Sequence, residues 1–193
     1  MKRALILAIF AIAVIAAPAQ LFKSKKVAVE NNVEIPVING KVTFEETIPA
    51  NGYTAEEVNA IINGWIKERY VKPTVISKKI FESGKPNTTV LKGEEYIVFR
   101  NTTFVLNRAR IYYYLTLTAN DGSCTFNMSR ITYWHDEEDE SGGIKMIAEE
   151  WITDENAIDR KGKVKKFEGK FRTKTVELKD KLVKELTEKL DRK

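Results

Sequence analysis

One cysteine and one histidine are all that 193 residues offer, and that scarcity removes several chemistries at once. A lone Cys closes no internal disulfide, and the Cys/His clusters that hold zinc cannot be assembled. A catalytic thiol or hydroxyl usually takes a histidine as its base, and here that is His135. Cys124 stands eleven residues before His135 on what reads as one strand. That is about 35 Å when extended, so the two cannot meet without a sharp fold-back. Among its apolar neighbours Cys124 reads as a buried, inert thiol, with an intermolecular disulfide or a reactive thiol as alternatives.

Charge of one sign is missing too. The formal net charge is +5, and it falls to +3 once residues 1–19 are set aside. A surplus that small argues against a nucleic-acid partner. The local distribution is sharper: residues 136–159 hold ten acids against one lysine, and residues 160–193 hold fourteen Lys/Arg against six acids. Neighbouring blocks of opposite sign are expected to neutralise each other within the molecule. The acids at 136–140 run contiguously, whereas calcium loops space their ligands at alternate positions around a glycine. They read as a solvated loop, with no metal or cofactor implied. No pair among the 27 acids stands out as a glycosidase-type pair, because the fold would have to gather them.

What is present begins at the N-terminus. Lys2 and Arg3 precede an apolar run over 4–17, and Ala17-Pro18-Ala19 supplies a small-x-small cleavage pattern. Residues 1–19 therefore read as a signal peptide, with Gln20 as the mature N-terminus and a periplasmic or secreted location. The run falls short of the about 20 apolar residues of a comfortable membrane span. No stable membrane anchor is expected after cleavage; a retained anchor is the alternative. Residues 20–32 read as a flexible leader, and residues 33–193 as a single α+β domain with a C-terminal helix.

Within that domain, 33–38 and 41–47 are two short strand-forming runs around Asn39-Gly40, whose positive-φ preference suits a tight turn. Thr54 and Glu57 form a capping box, and Val58, Ile61, Ile62, Trp65, Ile66 and Tyr70 mark one face of a helix that ends before Pro73. Strands are expected over 75–81 and 95–104. Next, Ile111, Tyr113, Leu115 and Leu117 alternate with Tyr112, Tyr114, Thr116 and Thr118. Centring the following turn on Asn120-Asp121 pairs Leu117 with Cys124, Leu115 with Phe126 and Tyr113 with Met128. Ile131 and Tyr133 fall on the other parity, so a bulge is expected near Ser129-Arg130. Residues 144–152 suit a short helical turn, 160–166 a basic connector, and 173–190 a final helix striped with leucine.

Tyr112 and Tyr114 are the candidate ligand-binding residues, because they point away from the core-facing set. Exposed aromatics on a sheet face mark a binding surface. A helix covering that face would make them core instead.

The order of several short motifs is informative. Glu34-Ile35-Pro36-Val37 precedes Gly40-Lys41-Val42 and Phe44, then comes the helix with Trp65. Asn120-Asp121-Gly122 then leads into a strand ending Ile131-Thr132-Tyr133. This resembles a family of exported bacterial proteins catalogued as a domain of unknown function with a TBP-like fold, over 34–134 and more loosely to about 190. The family tends to place an aromatic or basic residue after the turn glycine, where Ser123-Cys124 stands here. The resemblance implies a β-α-β-β-β-β-α order, with a curved antiparallel sheet and helices packed on one face. It carries over no catalytic residues, and the fold name says nothing about DNA.

The reading that follows is a non-catalytic ligand- or protein-binding module of the cell envelope. An envelope hydrolase built from dispersed carboxylates is the alternative, and a binder of anionic surfaces through 160–174 is a third. A deep pocket with convergent, desolvated carboxylates would favour the hydrolase.

Overall fold

The computed structural model describes residues 33–103 and 105–191. The signal peptide expected over 1–19 and the leader over 20–32 lie outside the described residues. Strand β1 (Val37–Ile38) turns into β2 (Lys41–Pro49) through Asn39 and Gly40, with φ of 51° and 72°, as a type I′ turn requires. Helix α1 (Ala55–Arg69) opens on the expected box: Glu57 N donates to Thr54 Oγ1 at 3.3 Å, and Thr54 N donates to Glu57 Oε2 at 2.8 Å. A second cap comes from far away in the chain, since Ala55 N also donates to the Asp121 carboxylate at 2.8 Å. The buried face of α1 carries Val58, Ile62, Trp65 and Ile66.

Four long antiparallel strands follow: β3 (Val75–Phe81), β4 (Thr88–Thr102), β5 (Val105–Asn120) and β6 (Ser123–His135). A short β7 (Ile144–Ile147) leads into single helical turns α2 (Ala148–Trp151) and α3 (Asp154–Ala157), and α4 (Lys166–Leu190) closes the fold. The seven strands form one open sheet ordered β1-β2-β6-β5-β4-β3, with β7 also on β6. Because β5 occupies one edge of β6, β2 and β7 must share the other. β2 pairs with Ser123–Ser129 and β7 with Thr132–His135. The division falls at a bulge: Tyr114 faces Ser129 but Tyr112 faces Thr132, and Arg130 takes φ 52° to absorb the extra residue.

The helices cover one face only. Leu91, Ile97, Ile111, Tyr113, Leu115, Leu117, Phe126 and Met128 from the sheet are buried there with Ile62, Trp65, Leu182 and Leu186. Several expectations need correction. The β5–β6 turn centres on Asp121-Gly122, so Leu117 faces Phe126, Leu115 faces Met128 and Ala119 faces Cys124. The register differs by two residues from the one expected, which preserves every facing and hence the core. Strand β4 starts at Thr88 and not at 95, and its polar first half is held as a strand by β3 and β5 on either side.

Helix α4 begins at Lys166, ahead of the expected 173. Its first turns are drawn in by Phe167 and Phe171, whose rings meet Trp151, His135 and Phe99. Gly169 fits there because a Cβ would lie 2.5 Å from Val164 Cγ1. The segment 144–152 is a strand before it is a helical turn.

Candidate functional site

The uncovered sheet face is where alternation sends every second residue of β4, β5 and β6. Tyr112 and Tyr114 both lie there, half-buried, with no helix of the described residues over them. The structure thus places them on an accessible face and not in the core, and it gives them different neighbours. Tyr114 stacks on Phe81 of β3 at 5.8 Å, with the Arg130 guanidinium 5.4 Å from its ring. Tyr112 instead lines a cleft of about 390 Å³ with Lys92, Thr132, Trp134, Lys145 and Ile147. The bulge makes this possible, because it turns Thr132 and Trp134 onto the face of Tyr112 while Ile131 and Tyr133 enter the core.

Trp134 is held from both sides. Its indole N–H donates to Gly142 O at 2.8 Å, which anchors the ring to the end of the acidic loop. Lys145 Nζ and the Arg110 guanidinium sit 5.0 and 5.3 Å from the indole ring, and Lys92 Nζ sits 5.2 Å from Tyr112, within cation–π range. Glu94 joins Arg110 at 3.0 Å and accepts from Ser77 Oγ at 2.6 Å. Partial burial works against ionisation of Glu94, yet these hydrogen bonds outweigh it and hold its carboxyl below the usual range. Burial, reinforced by the charge of Glu94, pushes the Tyr112 phenol up, so it stays neutral with its hydroxyl turned to Glu94 and Arg110.

The acidic loop is not simply solvated. Glu137 folds back to pair with Arg110 and accepts from Tyr96 Oη at 2.9 Å, and Glu138 approaches Arg108 at 3.5 Å. Glu137 and Glu138 are therefore met by strand β5 and not by the basic C-terminal block as expected, while Asp139 and Glu140 are exposed as a solvated loop requires. Arg172–Asp154, at 2.7 Å, is the ion pair that joins the two blocks among the described residues. Residues 160–174 contribute Lys165, Lys166, Lys170 and Lys174 to a cleft of about 290 Å³ over Phe99. Two of these lysines are already engaged, Lys165 with Asn156 O at 2.6 Å and Lys174 with Glu177 at 2.6 Å.

The covered face carries its own polar cluster. Arg69 Nη2 bonds Glu95 at 2.7 and 3.0 Å, Tyr113 Oη donates to Glu95 at 2.5 Å, and Tyr113 Oη meets Tyr70 Oη at 2.9 Å. Glu185 of α4 closes the group at 3.1 Å from Arg69 Nε. Tyr113 reaches Glu95 by crossing Gly93, where a Cβ would stand 2.6 Å from the ring. Glu95 is thus a desolvated carboxylate enclosed in the core. Of the carboxylates lining the cleft beside Trp134, Glu137 is held by Arg110 and Tyr96, Glu138 approaches Arg108, and Asp136 is exposed. Cys124 is fully buried and its pKa is pushed up to about 12 by that burial, which leaves an inert thiol. His135 is buried among Phe99, Phe167 and Phe171.

Sequence reasoning found Tyr112 by alternation and missed Trp134, Lys92 and Lys145. Trp134 was within reach, since the expected bulge already sends it to the Tyr112 face. Lys92 belongs to a strand segment that polar composition conceals, and Lys145 to one whose apolar spacing suits a helical turn.

Comparison with known proteins places this architecture. Residues 44–134 match the model of a family described as a domain of unknown function (DUF4468) with TBP-like fold. A crystal structure of a DUF4468 family protein from Bacteroides ovatus superposes with a TM-score of 0.73 at 26% identity, covering 86% of this chain and 93% of that one. A TBP-like protein from Parabacteroides distasonis gives a TM-score of 0.66 at 19% identity, covering 82% of this chain and 97% of that one. At that identity the second likeness concerns the fold alone. No curated protein matches the chain.

Proposed function

This chain belongs, through residues 44–134, to the DUF4468 family with its TBP-like fold, and on that premise we propose that it is a non-catalytic binding module whose ligand or protein partner docks on the open sheet face. The observation that carries this reading is the pairing of an uncovered face with half-buried rings. Tyr112, Tyr114 and Trp134 stand on strands whose other face is fully committed to the core. Such rings offer broad contact area, a polar tip and little rotamer entropy to lose. The export signal read in residues 1–19 sets the module in the cell envelope, and intact-mass analysis of the protein from its host tests that by asking whether the chain starts at Gln20.

The binding reading is tested by immobilising the full chain and capturing ligands from envelope extract, with mass spectrometry as the readout. The control is the Tyr112→Ser/Trp134→Ser variant, confirmed folded by its melt. Species retained by wild type and lost by the variant support the reading. Equal retention by both overturns it.

A further inference from the structure

We propose that the cleft between β4 and β7 binds an acidic sugar, a pyranose ring carrying a carboxylate or sulfate that pairs with Lys92 and Lys145. This inference rests on the reading of the open face as a binding surface and names the chemistry that surface selects. The decisive observation is an imbalance of charge. Arg108 and Arg110, on the same face, are matched by Glu94, Glu137 and Glu138. Lys92 and Lys145 line the cleft and have no carboxylate partner among the described residues; their ammonium groups rest 5.2 and 5.0 Å from aromatic rings. Among the described residues no acid lines the cleft itself, and the nearby Glu94 is committed to Arg110 and Ser77. Two cations held at a half-apolar surface with no internal anion are complementary to an anionic ligand.

The other walls narrow the class. Tyr112 and Trp134 sit on adjacent strands in diagonal register, because Tyr112 faces Thr132 and Trp134 faces Arg110. Diagonal neighbours lie about 7–8 Å apart, a separation that one sugar ring bridges. Thr132 supplies a hydroxyl that can donate and accept, which suits a ligand carrying hydroxyls of its own, while the Tyr112 hydroxyl lies against Glu94 and Arg110 and leaves its ring as the contact surface. The volume of about 390 Å³ is toward the lower end of the roughly 300–1,000 Å³ common for small-molecule sites.

A peptide is poorly served here. The cleft is on a sheet face, where the backbone amides of β5 and β6 are spent in the ladders, so a backbone lying across that face finds no partners in those two strands. A nucleic-acid strand needs a continuous basic track, and Glu94 and Glu137 interrupt this one.

The test is a titration of the full chain with trigalacturonate, its methyl ester, a sulfated disaccharide, hexaglutamate and an oligothymidylate, followed through the indole NMR resonances of Trp65, Trp134 and Trp151. The expected result is a shift of the Trp134 resonance with trigalacturonate or the sulfated sugar, the two arms separating carboxylate from sulfate. Lys92→Gln and Lys145→Gln should each weaken that binding about tenfold, the scale of one charge-assisted hydrogen bond. Equal binding of the methyl ester, with no effect of either lysine variant, overturns the acid and leaves the open-face reading standing. Tighter binding of hexaglutamate or oligothymidylate overturns the sugar, as does the absence of any shift at millimolar probe. Shifts confined to Trp65 or Trp151 overturn both the ligand class and the open-face reading.

Discussion

Glu94 and Glu95 are neighbours on β4, each is paired with an arginine, and the two pairs could hardly differ more. Glu95 and Arg69 lie under the helices with side chains 3% and 0% exposed, whereas Glu94 and Arg110 lie on the open face at 16% and 27%. Under the helices the charges meet one another: Glu95 is bonded by Arg69 and Tyr113, Tyr113 by Tyr70, and Glu185 stands between Arg69 and Lys72. On the open face the arginines are matched, but the lysines and rings around the cleft keep unused capacity. Alternation along a strand is thus a division of labour: one parity settles its charges internally, and the other presents them. Four experiments would break or sharpen that contrast.

The largest effect is expected at alkaline pH. Burial, above all, raises the phenol pKa of Tyr70, Tyr113 and Tyr133, so folding favours their neutral forms. The stability they contribute is complete below about pH 10, the unfolded value, and is lost as pH climbs toward the raised folded values. Phenolate absorbance should show these three tyrosines ionising together with loss of near-UV circular dichroism. If they titrate reversibly in folded protein, the covered face is open to water and the contrast fails.

Next comes Glu95→Ala, which removes the buried partner of Arg69 and leaves it only the part-exposed Glu185. It should cost about 3–5 kcal/mol in urea melts, whereas Glu94→Ala should cost about 1 kcal/mol or less. Comparable losses would mean that the two faces do not differ in solvation. Replacing both partners, Arg69→Met with Glu95→Leu, should cost less than Glu95→Ala alone, because no charge is left unpaired.

A smaller loss follows Thr54→Ala, about 0.5–2 kcal/mol from the broken cap. Asp121 still holds the Ala55 amide, so the lower half of that range is expected. A loss above 3 kcal/mol in the same melts would show that the two caps act as one unit.

The smallest effect belongs to the open face. Tyr112→Ser with Tyr114→Ser should leave stability within about 1 kcal/mol of wild type, as surface changes do. A collapse of several kcal/mol, as for buried aromatics, would retire both tyrosines as binding residues.

Those differences also explain what was legible in the sequence. The Asn39-Gly40 turn, the Thr54 box and the apolar face of α1 are set by residues a few positions apart, and they appear where expected. The parity of β5 and β6 was legible because burial dictates it. Their register was not, since it depends on where the turn docks: Gly122 O accepts from Ala50 N, and Gly122 N donates to Tyr53 O. Strand β4 was read short because Lys92, Gly93 and Glu94 look like loop. In the fold, Gly93 lies beneath the Tyr113 ring while Lys92 and Glu94 face the open side. The first turns of α4 were missed because Gly169 and dense lysine disguise a helix that Phe167 and Phe171 anchor by tertiary contact. Tyr112 was found by local pattern; the lysines that complete the cleft come from the two segments that pattern served worst.

The docking of the Asp121-Gly122 turn onto the start of α1 has a consequence for the order of assembly. Strands β3 to β6 form a meander of successive hairpins, each closing a short loop. β2 must instead return across α1 and three strands to reach β6, and the Asp121–Ala55 bond that seals the return spans 66 positions. Closing that long a chain segment is slow and is rewarded only at the end. The meander should therefore form first and expose the outer edge of β6, an unpaired strand prone to pairing with other chains, until β2 arrives. Amide protection in a refolding experiment should appear in β4 and β5 before β2, and high chain concentration during that interval should divert molecules into aggregates through the free β6 edge.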